Sequence, residues 1–492
     1  MRKHQFIWKF VSVVFAVSMT VMFAGCGNGK GASEGNNTNQ TSTEKSTEMA
    51  SQKSKNIEVN TAKGETNSSK AGDLKMVAEG DLTANYKDKD GMYYVYQYGR
   101  GSGEWWPGIK YVDYKACKEV FLCNKLNCDH KNFNCTAVLP KEIRDGVSSD
   151  QCLLFGDENY LYLLMQLPYS NRGSSTTEYV ASGWEATLEE QHSLPDYPPT
   201  IYRMKKDGTG REKIYEFDSG ISVEPVIFSD GKYLYINTIK TKETTEGNTT
   251  YSSCYDCQIV RLDIEEKSIE KVLELNSEQN IVGCNGRDVI LRETQFDRDI
   301  STEFKYTNEE EYEKMYQKSQ EIYSCHNIDS GKVTTIKTIE NKKYHDTCLM
   351  NGYFYVTCEN KKEIERIRLK DGKVKKIKTE KEFLGLGGGV SVKGKPDTLI
   401  CWVEGKNEKM PYYVNSKTGE YVRSTLANSH KKHIEVISEN DEYMFVKKDY
   451  TKGGTKNFYS VISKKDYLNN KPNYKDVEMI YSGETTDLPF KW

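Results

Sequence analysis

Residues 345–380, HDTCLMNGYFYVTCENKKEIERIRLKDGKVKKIKTE, constrain the fold more than any other stretch. They read as four short β-strands. The first ends near Leu349, and a turn at Asn351-Gly352 leads into Tyr353 to Val356. A break at Glu359-Asn360 leads into Ile364 to Leu369, and Asp371-Gly372 turns the chain into Val374 to Ile377. The alternation is close to period two, and the turn residues tolerate positive φ. Four antiparallel strands cannot bury both of their faces alone. Several such sheets packed radially can, and they leave only short protected edges.

Variants of this unit recur. One unit pairs Met92 to Val95 with Ile109 to Val112, and the next pairs Tyr160 to Leu163 with Ile201 to Met204. A third pairs Tyr233 to Ile236 with Ile259 to Asp263, and a fourth Val289 to Leu291 with Ile322 to Cys325. After the fifth, quoted above, come Leu399 to Val403 with Tyr412 to Val414, then Tyr443 to Val446 with Phe458 to Ile462. A final strand is expected over Val477 to Ile480. The chain's 34 tyrosines suit half-buried sheet better than a helical bundle. The expectation is therefore an all-β chain forming a β-propeller of seven blades, within a range of six to eight. A pair of β-sandwiches or a β-solenoid is the rival. At roughly 60 residues each, the units exceed common blades, so some loops carry insertions. Two fall near 167–199, which holds Trp184, and near 292–320, where Asn308 to Tyr316 reads as a short helix capped by Asn308. Met76 to Leu82 is placed to add a strand to the last blade and close the ring, and Gly385 to Gly389 reads as a tight connection between units.

The N-terminus sets the expected compartment. MRKHQFIWK is a basic start, FVSVVFAVSMTVMF a short apolar core, and Ala24-Gly25-Cys26 a small-residue cut site. The pair before Cys26 resembles the lipobox of bacterial lipoproteins. By that resemblance residues 1–25 are a lipoprotein signal peptide, and Cys26 carries the lipid that holds the protein on the extracytoplasmic face of the cell membrane. Residues 26–73 are almost wholly Gly, Ser, Asn, Thr, Lys, Glu and Gln, too polar to offset the entropy of ordering, and read as a disordered tether. Residues 74–492 are the propeller. The whole chain has a net charge of -3, and loss of the signal removes Arg2, Lys3 and Lys9. A mildly acidic body argues against a nucleic-acid partner, which needs a basic surface.

The sharpest local feature is Cys123, Cys128, His130 and Cys135, spaced C-x4-C-x-H-x4-C. Three thiols and an imidazole can surround a structural zinc ion. Outside the cytosol the same cysteines can form disulfides, with Cys117 taking part, or they are plain buried thiols. Four protein ligands would leave no open position for catalysis. The run from Asp113 to Cys135 resembles a segment of lipoproteins from anaerobic gut Firmicutes predicted to be β-propellers, a group similar to TolB-type and low-density-lipoprotein-receptor-type propellers. The shared pattern is a strand, a D-x-x-x-G-K turn, and a Cys-Asn-x-Pro-x-Cys-x-His block with a later Cys. Cys117 stands here for the glycine and Leu126 for the proline. The resemblance implies an extracytoplasmic lipoprotein and no assigned reaction.

Catalytic signatures are missing from the sequence. No G-x-S-x-G elbow or H-E-x-x-H site occurs, and the histidines, His345 among them, are scattered. Cys254 and Cys257 have redox spacing, but a strand follows them instead of a helix. Trp105, Trp106 and Trp184 offer stacking surfaces, and Asp297 with Asp299 could hold an ion or substrate. The expectation is a membrane-anchored module, more binder than enzyme, recognising a peptide, glycan or envelope protein. A hydrolase or lyase on the same scaffold is the alternative, marked by convergent acids or a histidine beside an acid. A structural envelope protein is a third reading.

Overall fold

The computed structural model describes residues 72–79, 85–99, 105–130, 132–139, 152–166, 198–246, 249–298, 309–342, 345–358, 362–383, 385–392, 395–404, 409–426, 433–449 and 458–480. The signal expected over residues 1–25, the lipidation site Cys26 and all but the last two residues of the tether expected over 26–73 lie outside them.

Seven antiparallel sheets follow one another along the chain. Blade 1 spans residues 85–121, blade 2 152–216, blade 3 221–275, blade 4 279–340, blade 5 345–378, blade 6 385–423 and blade 7 433–476. Each contributes four strands in sequence order, with the first strand at one edge and the fourth at the other except in blade 3, where an extra strand covers the first. Seven buried apolar clusters lie between them, one for each successive pair of blades, including blade 7 with blade 1. Seven sheets joined by seven seams make a closed ring, the expected all-β seven-bladed propeller.

The second strands explain much of the tyrosine usage. In blades 2 and 3 an aspartate opens the turn after the first strand, Asp157 and Asp230. Each accepts backbone N–H groups two and three residues on, at 2.8–3.0 Å. The tyrosine five residues on, Tyr162 or Tyr235, donates its hydroxyl back to the same carboxylate at 2.8 Å. Ring and hydroxyl thus serve different ends: the ring fills a seam, and the hydroxyl fixes the turn. The turns after the third strands are equally regular. Asp113, Asp263 and Asn415 accept N–H groups two and three residues on. The residue four on takes positive φ, as Gly419 does at 80°. Cys117 and Lys267 take it at 52° without being glycine.

Antiparallel order sorts the connections onto two faces. The second-to-third links and the links between blades share the face where first strands begin, called here the insertion face. The helix Glu309–Tyr316, between the second and third strands of blade 4, belongs to that face. The expected cap Asn308 lies outside the described residues.

Three expectations are corrected. Lys75–Ala78 does not close the last blade. It pairs antiparallel with Ile221–Ser229 as a fifth strand on the first-strand edge of blade 3. Its entry is tied down on the turn face: Leu74 N–H donates to Gly286 O at 2.7 Å, and Arg287 donates to Gly72 O at 2.9 Å. The apolar pattern of Met76 to Leu82 marked a strand but carried no information on its neighbour. Gly385–Val390 is likewise no connection but the first strand of blade 6, with a register shift between Leu386 and Gly389. A Cβ on Gly387 would collide with the Trp402 indole nitrogen and one on Gly389 with the end of the Met350 side chain, so these two positions are glycine for close approach. Finally, residues 477–480 do not form the fourth strand of blade 7, which is Lys475–Asp476. They run beside blade 1, where Glu119 N–H donates to Glu478 O at 3.0 Å and Glu478 N–H to Cys117 O at 2.9 Å. The ring is clasped from its rim.

Arg287 also bridges Asp230, Asp329 and the Tyr235 hydroxyl at 2.8–3.0 Å. Arg287→Ala is expected to raise amide exchange across residues 74–78 while the strands of blades 5 and 6 keep their protection. Uniform loss of protection, or none, would show that Arg287 does not hold the inserted strand.

Candidate functional site

Cys123, Cys128, His130 and Cys135 come together. Their ligand atoms all lie within 4.8 Å of one another. Four ligands about 2.0–2.3 Å from a shared tetrahedral ion sit roughly 3.5–3.8 Å apart, so closing on a metal needs only a small contraction. The local backbone is built for this. Leaving the outer strand of blade 1, Lys118–Phe121, the chain makes an excursion and returns at residues 137–139 beside the third strand. Asn127 and His130 take positive φ, at 59° and 55°, curling the loop on itself. Ala137 N–H donates to the Cys135 sulfur at 3.4 Å, and His130 Nδ1 lies 3.3 Å from that sulfur. Phe121 stacks on the His130 ring at 4.1 Å between centroids.

Burial raises the Cys123 thiol, but hydrogen bonds from the Lys125 N–H and Thr136 outweigh it and bring it down to about 7. Burial pushes Cys135 up to about 12, and the neighbouring Cys123 and Cys128 add to that shift. Thiols this close resist joint ionisation unless a cation sits among them. Cys117, Cys123, Cys128 and Cys135 are not in disulfides. The cluster is able to hold a metal ion, and with all four positions filled by protein that ion would be structural. Cys117 is not a fifth ligand: it occupies the positive-φ turn position and its thiol lies 3.4 Å from Tyr114 O.

The loop also staples two blades. Arg211 of blade 2 donates to the carbonyls of Val138 and Thr136. Gly208, at φ +80°, presses on the loop so closely that a Cβ would stand 2.6 Å from Thr136 O.

A second constellation was not legible in the sequence. Glu321, near the start of the third strand of blade 4, meets His345, the first residue of blade 5, at the insertion face. Glu321 Oε2 and His345 Nε2 are 3.0 Å apart, and both side chains are 7% exposed. Tyr323 donates its hydroxyl to the same carboxylate at 2.6 Å, and Tyr316, from the inserted helix, donates at 3.3 Å. Burial would raise Glu321, but the bonds from His345 and Tyr323, with Arg292 nearby, overcome it and hold the carboxyl down at about 2. Glu321 is therefore ionised, and His345 Nε2 carries the proton it donates. The partners lie on different blades, and no spacing rule joins them.

The other candidates remain apart. Trp105 and Trp106 start the third strand of blade 1, with side chains outside the described residues. Trp184 and Asp299 also lie outside them, and Asp297 is exposed. Among the described residues, no helix is long and apolar enough to cross a membrane.

No protein-family model matches this sequence, and no curated protein matches it. Solved structures do. A puromycin-hydrolyzing peptidase of Mycobacterium tuberculosis is similar at 9% identity and TM-score 0.43, covering 83% of this chain and 56% of its own. An oligogalacturonate lyase from Vibrio parahaemolyticus is similar at 10% identity and TM-score 0.37, covering 82% and 86%. TolB from Acinetobacter baumannii is similar at 13% identity and TM-score 0.30, covering 77% and 76%. The chain spans about half the length of the peptidases it matches. At these identities the likeness reaches the fold alone, already evident from the strand pairing. One expectation is withdrawn, the reading of the chain as more binder than enzyme; the matched structures include peptidases and oligogalacturonate lyases. A missing sequence motif was no ground for it, because propeller sites are assembled from distant loops.

Proposed function

We propose that the protein is an extracytoplasmic enzyme of the hydrolase or lyase class, with His345 as its proton-transfer group and Glu321 as the residue that orients it. The buried His345–Glu321 pair carries this reading. An ionised carboxylate fixed by two tyrosines selects one imidazole tautomer and stabilises the imidazolium that forms when Nδ1 takes up a proton. That is what activating a water, or removing a proton from carbon, requires. Residues at strand starts are held rigidly, and the second-to-third connections above them supply the variable surface for a substrate.

His345→Gln is expected to lower turnover of the responsive member of a glycan and peptide panel by about 10²–10⁴-fold with the thermal midpoint little changed. A pair that only braces the seam would instead lower the midpoint and leave the rate per folded molecule intact, and that result would sink the proposal. So would a panel without turnover.

The ion we propose for the Cys3His centre is zinc, the divalent metal that four thiolate and imidazole ligands in tetrahedral array favour. For placement, the signal pattern supports anchoring through lipid on Cys26. Cells fed labelled palmitate should label the wild-type protein and not Cys26→Ala, which should appear as unprocessed precursor. Equal labelling would remove the anchor from the proposal.

A further inference from the structure

Beside the His345–Glu321 pair sits a guanidinium whose Nε has no hydrogen-bond partner among the described residues. Arg292 belongs to the second strand of blade 4, Asp288–Gln295, directly across from Tyr323 in the neighbouring strand. Val289 and Leu291 pack into the seam with blade 3, so strand alternation turns Arg292 the other way, toward blade 5 and the same side as Tyr323. Its Nε is buried and has no hydrogen-bond partner. No ion pair within 4.0 Å engages it among the described residues, although it is near enough to Glu321, Tyr316 and Tyr323 to influence all three.

The obvious counter-group is already committed. Glu321 accepts from Tyr316 through Oε1 and from Tyr323 and His345 through Oε2. A buried guanidinium donor without a protein acceptor is costly, and it calls for a ligand, an ion or a water to complete it. Arg292 is half-buried overall, so an incoming group can reach it. The planar fork of a guanidinium fits a carboxylate through two parallel hydrogen bonds.

We propose that Arg292 is the anchor for a carboxylate on the substrate, so that the site beside His345 takes an anionic, carboxylate-bearing compound. This rests on the enzyme reading above for the word substrate, but the binding itself does not. In a lyase, a carboxylate clamped by Arg292 would acidify the carbon next to it: the proton would pass to His345, the C–H electron pair would form the new C=C bond, and the leaving group would depart from the adjacent carbon with its bonding pair. In a hydrolase, the same clamp would position the scissile bond: His345 would take a proton from water, the water oxygen would bond to the carbon of that bond, and the leaving group would depart with the bonding pair and take up the proton.

Calorimetric titration of the full folded chain with two carboxylate probes, sodium glucuronate and N-acetylalanine, tests it against their methyl esters. Wild type is expected to bind at least one carboxylate saturably and its ester at least about tenfold more weakly, the scale of one charge-assisted pair. Arg292→Gln should abolish that preference, and Arg292→Lys should restore part of it, which separates recognition from any loss of folding. His345→Gln should keep the preference. Equal binding of acid and ester, an unaltered preference in Arg292→Gln, or no saturable binding of either acid would each overturn the inference. Carboxylate binding without turnover would leave it standing and remove the enzyme reading. Turnover of an uncharged substrate that Arg292→Gln leaves unchanged would do the reverse. Which probe binds tells a glycan acid from a peptide terminus.

Discussion

Protein purified without chelator is expected to carry one equivalent of zinc, and Cys128→Ser to lose both that metal and at least about 3 kcal/mol of stability. The magnitude follows from how the loop is held. Most of the described residues in 122–136 have no strand partner, and the ligand atoms converge within 4.8 Å. Cys135 and the neighbouring Ala137, Val138 and Leu139 are buried in the seam between blades 1 and 2. A structural zinc contributes on the order of 10 kcal/mol of apparent binding free energy in small domains. Here the loss is capped by what remains without metal: the loop frays, Arg211 loses the two carbonyls it caps, and one seam of seven loosens. Elemental analysis gives the metal content, and denaturant midpoints with and without a strong chelator give the energy. Amide exchange should rise first at residues 132–139. Metal-free protein with an unchanged midpoint would show the cluster to be a set of plain buried thiols.

The fold was open to sequence reading because a propeller repeats its local rules. Period-two alternation marked the second and third strands, and turn residues such as Asn351-Gly352 and Asp371-Gly372 fell where the chain reverses. The Cys3His cluster was legible for a similar reason: its four ligands lie within thirteen residues, so spacing alone brings them near each other. What failed depended on partners distant in the chain. Nothing in Met76 to Ala78 says that Ile227 to Ser229 will be its neighbour. Gly385 to Gly389 carries a single side chain beyond glycine, Leu386, too little for alternation to be recognised, yet it pairs with Leu399 to Trp402 as a strand. Glu321 and His345 belong to different blades, and Arg292 joins them only through strand register. A charged residue facing a seam, at a position where the repeat elsewhere places apolar ones, is the one signal that could have singled out Arg292 and Glu321.

Glu119→Ala is expected to cost about 3–5 kcal/mol, because it strips the partner from a buried lysine and releases the clasp that ties the C-terminal segment to blade 1. Glu119 and Lys110 are 3.2 Å apart, with side chains 0% and 6% exposed. Tyr94 donates its hydroxyl to Glu119, and Ile480 N–H donates to its Oε2 at 2.5 Å. Lys110 in turn donates to Ile480 O at 2.9 Å. One acid and one base thus hold both polar groups of a single peptide residue, at the seam where blade 7 meets blade 1. Burial pushes Glu119 up to about 8, with the Ile480 N–H pulling the other way, and burial pushes Lys110 down to about 8. The signs then follow from linkage. Between its ordinary 4.5 and about 8, Glu119 keeps a proton when folded that it releases when unfolded, so its contribution declines as pH rises through that window. Between about 8 and its ordinary 10.5, Lys110 binds fewer protons folded than unfolded, so its contribution recovers. The pair should therefore impress a dip near pH 8 on the stability curve. Glu119→Gln keeps one oxygen to accept from the Ile480 N–H, and its amide NH2 can donate to the Tyr94 hydroxyl instead of accepting from it, so it should cost less than Glu119→Ala and remove the decline below the dip. Denaturant midpoints across that range decide the matter: wild-type and Glu119→Gln curves that run parallel would show the acid is ionised throughout. The clasp would then be held by plain ion pairing and not by groups poised at the edge of neutrality.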